Sequence, residues 1–138
     1  MKGVFNMIVH RRTFMRGAVL LLPFVFGRQA DAEVVKQHYQ MNRFSIAGFQ
    51  HYSGLRLLNR LNKGTLLRLI AETDNRYDCY AVRIEWQGHK LGYVPRSDNR
   101  HISRLLLQGA KLQARVIERK TNADPWQALR VEVDVEAG

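Results

Sequence analysis

From residue 44 onward the chain is a series of short apolar or alternating runs separated by turn residues. Phe44-Ser45-Ile46-Ala47-Gly48-Phe49 mixes small and β-favouring residues and predicts a strand, after which His51-Tyr52-Ser53-Gly54 turns the chain. Leu55, Leu57, Leu58 and Leu61, interleaved with Arg56 and Arg60, suit one or two helical turns closed by Asn62-Lys63-Gly64. Thr65 to Ala71 predicts a buried strand. Ala81 to Trp86 predicts the next one, Gln87-Gly88-His89-Lys90 a hairpin turn, and Leu91 to Val94 the return strand, stopped by Pro95. Ser97 is placed to cap a helix. Asp98 follows in the first turn, where the helix dipole favours an acid. Ile102, Leu105 and Leu106 mark the helix's apolar face and Gly109 its end. Leu112 to Ile117 predicts a strand, Asn122-Ala123-Asp124-Pro125 a turn, and Leu129 to Val135 a cleanly alternating last strand.

About six short strands, one clear helix and one short helical segment do not form βαβ units. Their order predicts a mainly β fold: a small antiparallel barrel of the OB or SH3 kind, capped by the helix.

One loop in this pattern is longer than a strand connection needs. "ETDNRYDCYAVRI", residues 72–84, places Asp74, Asn75, Arg76, Tyr77 and Asp78 between two strands. Single-stranded nucleic acid is held by aromatic faces and a basic groove. Tyr52, Tyr77, Tyr80 and Tyr93 fall at predicted strand ends or loops, with Arg76, Lys90, Arg96 and Arg100 nearby in sequence. An acid in such a groove repels phosphate, and makes sense where it meets a hydroxyl donor. The plainer readings are a turn carboxylate capping backbone N–H groups for Asp78, a turn residue for Asn75, and a half-buried core edge for Tyr77. Arg56, Arg60 and Arg104 read as solvated helix faces.

Charge agrees with an anionic partner. The 138 residues carry 22 Lys and Arg against 12 Asp and Glu, a net +10, with an ordinary apolar share of 46%. The length allows one domain. Cys79 is the only cysteine, so no internal disulfide forms. The sequence holds no phosphate-binding G-x-x-x-x-G-K-[ST] loop, Cys pair or H-x₃-H, which argues against an ATPase, a metal site or a cofactor. A hydrolase built on Glu72, Asp74 and Asp78 lacks a nucleophile beside them. The expectation is a non-enzymatic module.

The N-terminus reads differently. Arg11-Arg12-Thr13-Phe14-Met15-Arg16 is basic, Gly17 to Gly27 is a short apolar run, and Ala30-Asp31-Ala32 has small residues where a signal peptidase reads. The run is too short to span a bilayer as a helix. The paired arginines resemble a twin-arginine export signal. The expected organisation is a signal over 1–32, a linker over 33–42 and a domain over 43–138. Membrane contact is then limited to the transient signal, and the mature chain is exported; without a working signal it stays cytoplasmic.

Four stretches together resemble the HIRAN domain family: "FSIAGFQHYSG", "ETDNRYDCYAVRI", "HKLGYVPR" and "NRHISRLLLQG". The loop follows the family's Glu-Pro-x-Asn-x-Tyr-Asp-x-x-Ala-Val pattern, with Thr73 in place of the proline and Tyr80 at a position that is often Asn. The resemblance implies an OB-like barrel that binds the 3′ end of single-stranded DNA. It implies that Tyr77 and an aromatic at His51 or Tyr52 stack on the terminal bases. Asp78 would accept a hydrogen bond from the 3′-hydroxyl, and Tyr93 and Arg96 would contact phosphates. The rival expectation is an exported module that turns the same face to an acidic envelope polymer or a partner protein.

Overall fold

The structure is a computed structural model, which describes residues 35–137. The expected signal, its cleavage site and residue 138 lie outside them. Six strands, β1 (His38–Ser45), β2 (Leu66–Ala71), β3 (Val82–Trp86), β4 (His89–Tyr93), β5 (Leu112–Arg119) and β6 (Leu129–Glu136), form one antiparallel sheet. Their order is β1-β6-β5-β2-β3-β4. Two helices accompany it: α1 (Gly54–Leu57), continued by a 3₁₀ turn at Leu58–Arg60, and α2 (Arg96–Leu107), which packs on β2 and β3. The fold is mainly β and OB-like, as the pattern predicts.

The sheet coils without closing as a ladder. Its two ends touch at one bridge, where Ala47 and Tyr93 exchange backbone N–H···O bonds of 2.9 Å each. Gly92 permits that approach. Its φ is 149°, and a Cβ there would overlap the Ala47 carbonyl oxygen and the Ile46 side chain.

Alternation in β6 turns Leu129, Val131 and Val133 into the core, where Phe44, Ile46, Phe49, Leu61, Ile84, Leu91, Ile102 and Val116 meet them. Each side chain of this size contributes about 1.5–3 kcal/mol when fully buried.

Three boundaries depart from expectation. The first strand is His38–Ser45, not residues 44–49, so regular strand covers 38–42, which the pattern leaves to a linker. Gly48, at φ 72°, ends the extended stretch and turns the chain into a 3₁₀ turn, Phe49–His51, that buries Phe49. The helix α2 starts at Arg96 with Pro95 as its N-cap, and Ser97 does not cap it. The Ser97 hydroxyl donates instead to Asp98 Oδ2 at 2.7 Å, and Asn42 Nδ2 donates to Asp98 Oδ1 at 2.7 Å, tying β1 to the helix. The hairpin turn narrows to Gln87 (φ 49°) and Gly88 (φ 78°), the left-handed pair that matches strand twist.

Candidate functional site

Three segments converge beside the Ala47–Tyr93 seam: the turn at Gly48–Tyr52, the loop between β2 and β3, and the junction of β4 with α2. They enclose a cleft of about 410 Å³. All six residues singled out from sequence, His51, Tyr52, Tyr77, Asp78, Tyr93 and Arg96, line it. Asn75 and Asn99 line it too.

The loop is shaped by its own polar atoms. Asn75 Oδ1 accepts from the backbone N–H groups of Tyr77 (2.9 Å) and Asp78 (3.2 Å), an Asx turn. Glu72 N–H donates to the Ala81 carbonyl at 2.8 Å, and Ala81 N–H to the Asp78 carbonyl at 3.0 Å, which closes the base. Asn75 is thus the turn residue it reads as. Tyr77 is 87% exposed. It packs into no core, so the half-buried reading does not hold for it.

Asp78 sits lower in the cleft. Its Oδ1 accepts from Tyr80 N–H at 2.9 Å, and its Oδ2 accepts from Asn99 Nδ2 at 2.7 Å. Arg96 adds an ion pair of 3.7 Å to Oδ2, and also donates to the Tyr77 carbonyl at 3.3 Å. The carboxylate therefore does what a turn carboxylate does and still faces the cleft. Each oxygen has two lone pairs, which leaves room for one more donor.

The opposite wall is a tyrosine pair with a cation between the rings. Tyr52 and Tyr93 meet edge to face, centroids 6.0 Å apart. Lys90 Nζ lies 4.1 Å from the Tyr52 centroid and 4.2 Å from that of Tyr93, and donates to the Tyr93 hydroxyl at 2.6 Å. Behind it, Glu72 accepts from Arg83 at 2.9 Å and from Asn75 at 3.4 Å. The Tyr93 hydroxyl is therefore already engaged within the wall.

The ionisations follow from these contacts. Burial alone would raise the Glu72 carboxyl, but bonds from Tyr93 and Asn75 and the charges of Arg83 and Lys90 hold it below its usual value. Burial works against the Lys90 charge, yet its bond to Tyr93 and the facing phenols leave its pKa raised. For Tyr93, burial raises the pKa, Lys90 opposes, and the bond to Glu72 keeps it raised.

Two supporting residues take places that their local sequence does not show. Asn99 is 3% exposed and orients Asp78 from 21 positions away. Lys90 sits in the hairpin signal, so its place between two aromatic rings is invisible in one dimension. Among the described residues no group of three potential metal-ligating side chains converges, and no helix is long and apolar enough to cross a membrane.

The model of the HIRAN domain family matches residues 39–137. A crystal structure of a protein from Lactobacillus plantarum shares the fold with a TM-score of 0.63 at 24% identity, covering 75% of this chain and 99% of that one. The HIRAN domain of human HLTF aligns with a TM-score of 0.56 at 14% identity, covering 72% of this chain and 79% of that one. No curated protein matches the chain in sequence.

Proposed function

The chain belongs to the HIRAN domain family, and from that premise we propose that it is a non-enzymatic module that binds nucleic acid, preferring the 3′ end of single-stranded DNA. The observation that carries the reading is the meeting of a free aromatic ring, Tyr77, a carboxylate, Asp78, and an exposed cation, Arg96, in one cleft.

Each group has a part. The Tyr77 ring, held by the Asn75 turn, stacks on a base; His51 and Tyr52 supply the aromatic edge across the cleft. Stacking is sequence-tolerant and contributes about 1–3 kcal/mol per base. Asp78 accepts from the terminal hydroxyl. Arg96, loosely paired and mostly in water, turns to phosphate, and Lys90 places positive charge between the Tyr52 and Tyr93 rings. The Tyr93 hydroxyl, bonded to Lys90, serves phosphate less directly than the ring edge and its cation. Glu72 and Asp78 are both held in internal bonds, which favours binding over turnover.

The test is fluorescence anisotropy with matched oligonucleotides ending in 3′-hydroxyl or 3′-phosphate. The hydroxyl form should bind about tenfold tighter or more, because a charge-assisted bond is lost and two anions meet in the other. The oligonucleotide should stay intact during titration. Equal affinities would remove end recognition.

A second reading rests on the paired Arg11 and Arg12: an exported module whose cleft meets an acidic envelope polymer or a partner protein. Residues 1–36 fused to a reporter active only after export would test it. Loss of signal when both arginines become lysine is the expected result for twin-arginine export.

A further inference from the structure

We propose that the bound strand leaves the cleft over Tyr80 and runs along α2, where Arg100 and Arg104 hold its internal phosphates. This extends, and rests on, the reading of the cleft as a nucleic-acid site. Arg96, Arg100 and Arg104 recur every fourth residue, so they share one helix face, and all three are exposed. Successive members are about 6 Å apart along the axis, which makes a ridge of about 12 Å. Arg96 already reaches the loop that carries Tyr77 and Asp78.

Arg100 and Arg104 share a different support. Their guanidinium centres lie 5.0 and 5.6 Å from the centre of the same Tyr80 ring, and Arg100 donates to the Tyr80 hydroxyl at 3.4 Å. Among the described residues, neither forms an ion pair with a carboxylate, whereas Arg43, Arg83 and Arg115 each do. Like charges four residues apart weaken a helix. Two such cations gathered on one ring, without an acid, are arranged for an external anion.

The ridge is continuous with the cleft. A second concavity of about 300 Å³ is lined by Tyr77, Asp78, Arg96 and Asn99, which the cleft also uses, and adds Tyr80 and Arg100. A strand whose end sits at Asp78 therefore has an open, basic way out. The site takes several nucleotides, and Tyr80 acts as the positioning residue for two phosphate-binding arginines.

The experiment uses the full chain and 5′-labelled oligothymidylates of three and nine nucleotides, both with a 3′-hydroxyl. The unmodified chain should bind the nine-mer about tenfold or more tighter than the three-mer. The double substitution Arg100→Gln, Arg104→Gln should collapse that ratio several-fold and lower the salt slope for the nine-mer by about 1.4, the value for two lost phosphate contacts. Tyr80→Phe keeps the ring and should keep the ratio; Tyr80→Ala should reduce it. Both arginines are exposed, and circular dichroism verifies that the helix persists. A ratio near one in the unmodified chain, or one that the double substitution leaves intact, overturns the proposal. If the unmodified chain ignores 3′-phosphate yet its length gain requires the two arginines, end recognition falls and the ridge stands.

Discussion

Arginine does opposite work on the two sides of this sheet. Across β1, β6 and β5, the register sets Arg43, Glu132 and Arg115 in one row, with Glu132 in the middle. Arg43 donates to Glu132 at 2.6 Å, Arg115 donates to it at 3.1 Å, and Arg115 also reaches Asp134. Both acids are buried, and every cation in the row has an acid in register. At the cleft, Arg96 has only a loose pair with Asp78, its side chain is 76% exposed, and Arg100 and Arg104 lean on a phenol. Cations neutralised by cross-strand acids hold the sheet together; cations left on aromatic rings remain available to a ligand. A net charge of +10 does not distinguish the two kinds, because register does.

The largest effect should come from breaking the paired side. Glu132→Ala leaves two guanidiniums without their shared acid. Both remain partly in water, so the cost should be about 2–3 kcal/mol rather than that of a fully buried pair. For a domain of this size that lowers Tm by about 10–20 °C, read by thermal denaturation. Nucleic-acid affinity at a temperature where the variant stays folded should be unchanged. The same row predicts acid sensitivity. The hydrogen bond from Arg43, opposed by burial and aided by Arg115, holds the Glu132 carboxyl below its ordinary 4.5. A depressed folded value gives stability that is present above the unfolded value and lost as pH falls through the folded one. Stability should therefore begin to drop below about pH 4.5, and less steeply in Glu132→Gln.

On the cleft side, Tyr77→Ala removes a ring that touches no core. It should weaken single-strand binding by about 1–3 kcal/mol, equally for both 3′ ends, and leave Tm within about 1–2 °C. A large fall in Tm would mean that the ring supports the fold rather than a ligand.

How much of this was legible in the chain depends on what carried the signal. Leu129 to Val135 was legible because one face is core and the other pairs with arginines, giving a clean period of two. The strand His38–Ser45 was not, because it lies at the sheet edge with His38, Tyr39, Gln40 and Arg43 exposed and only Phe44 buried, so pairing with β6 fixes it and no apolar rhythm does. Tyr77 and Asp78 were legible as neighbours in an oversized loop. Asn99 was not, since a helix residue's partner across the cleft leaves no local trace. Ser97 misled for a local reason: Pro95, at φ −56° and ψ 148°, already occupies the cap position, which puts Ser97 inside the first turn.

Asn99 separates orientation from binding. Asn99→Ala should cost about 1–2 kcal/mol of stability, because Asp78 loses a buried donor. It should also reduce the preference for 3′-hydroxyl over 3′-phosphate about three- to tenfold, since the carboxylate is then free to swing. The two oligonucleotides in the same titration provide the readout. A preference that survives the loss of stability would confine Asn99 to folding the loop.

The smallest effect concerns Arg96, which belongs partly to both sides of the comparison. Its 3.7 Å pair with Asp78 is exposed, and such pairs contribute about 0–1 kcal/mol, so Arg96→Gln should barely move Tm. If its role is to meet one phosphate, the substitution should lower the slope of log affinity against log salt by about 0.7, the share of one contact on a single strand. The affinity loss should be largest at low salt and fade as salt rises, because the released counterions are the driving force. Preference for the 3′-hydroxyl should not fall with it. Without Arg96, Asp78 loses its nearest cation and repels a 3′-phosphate more strongly, so the preference should grow slightly. A slope that stays the same while the preference collapses would mean that Arg96 holds Asp78 in place and does not meet phosphate. It would then behave like the arginines of the β1-β6-β5 row, and the division between the two sides of the sheet would have to be redrawn at α2.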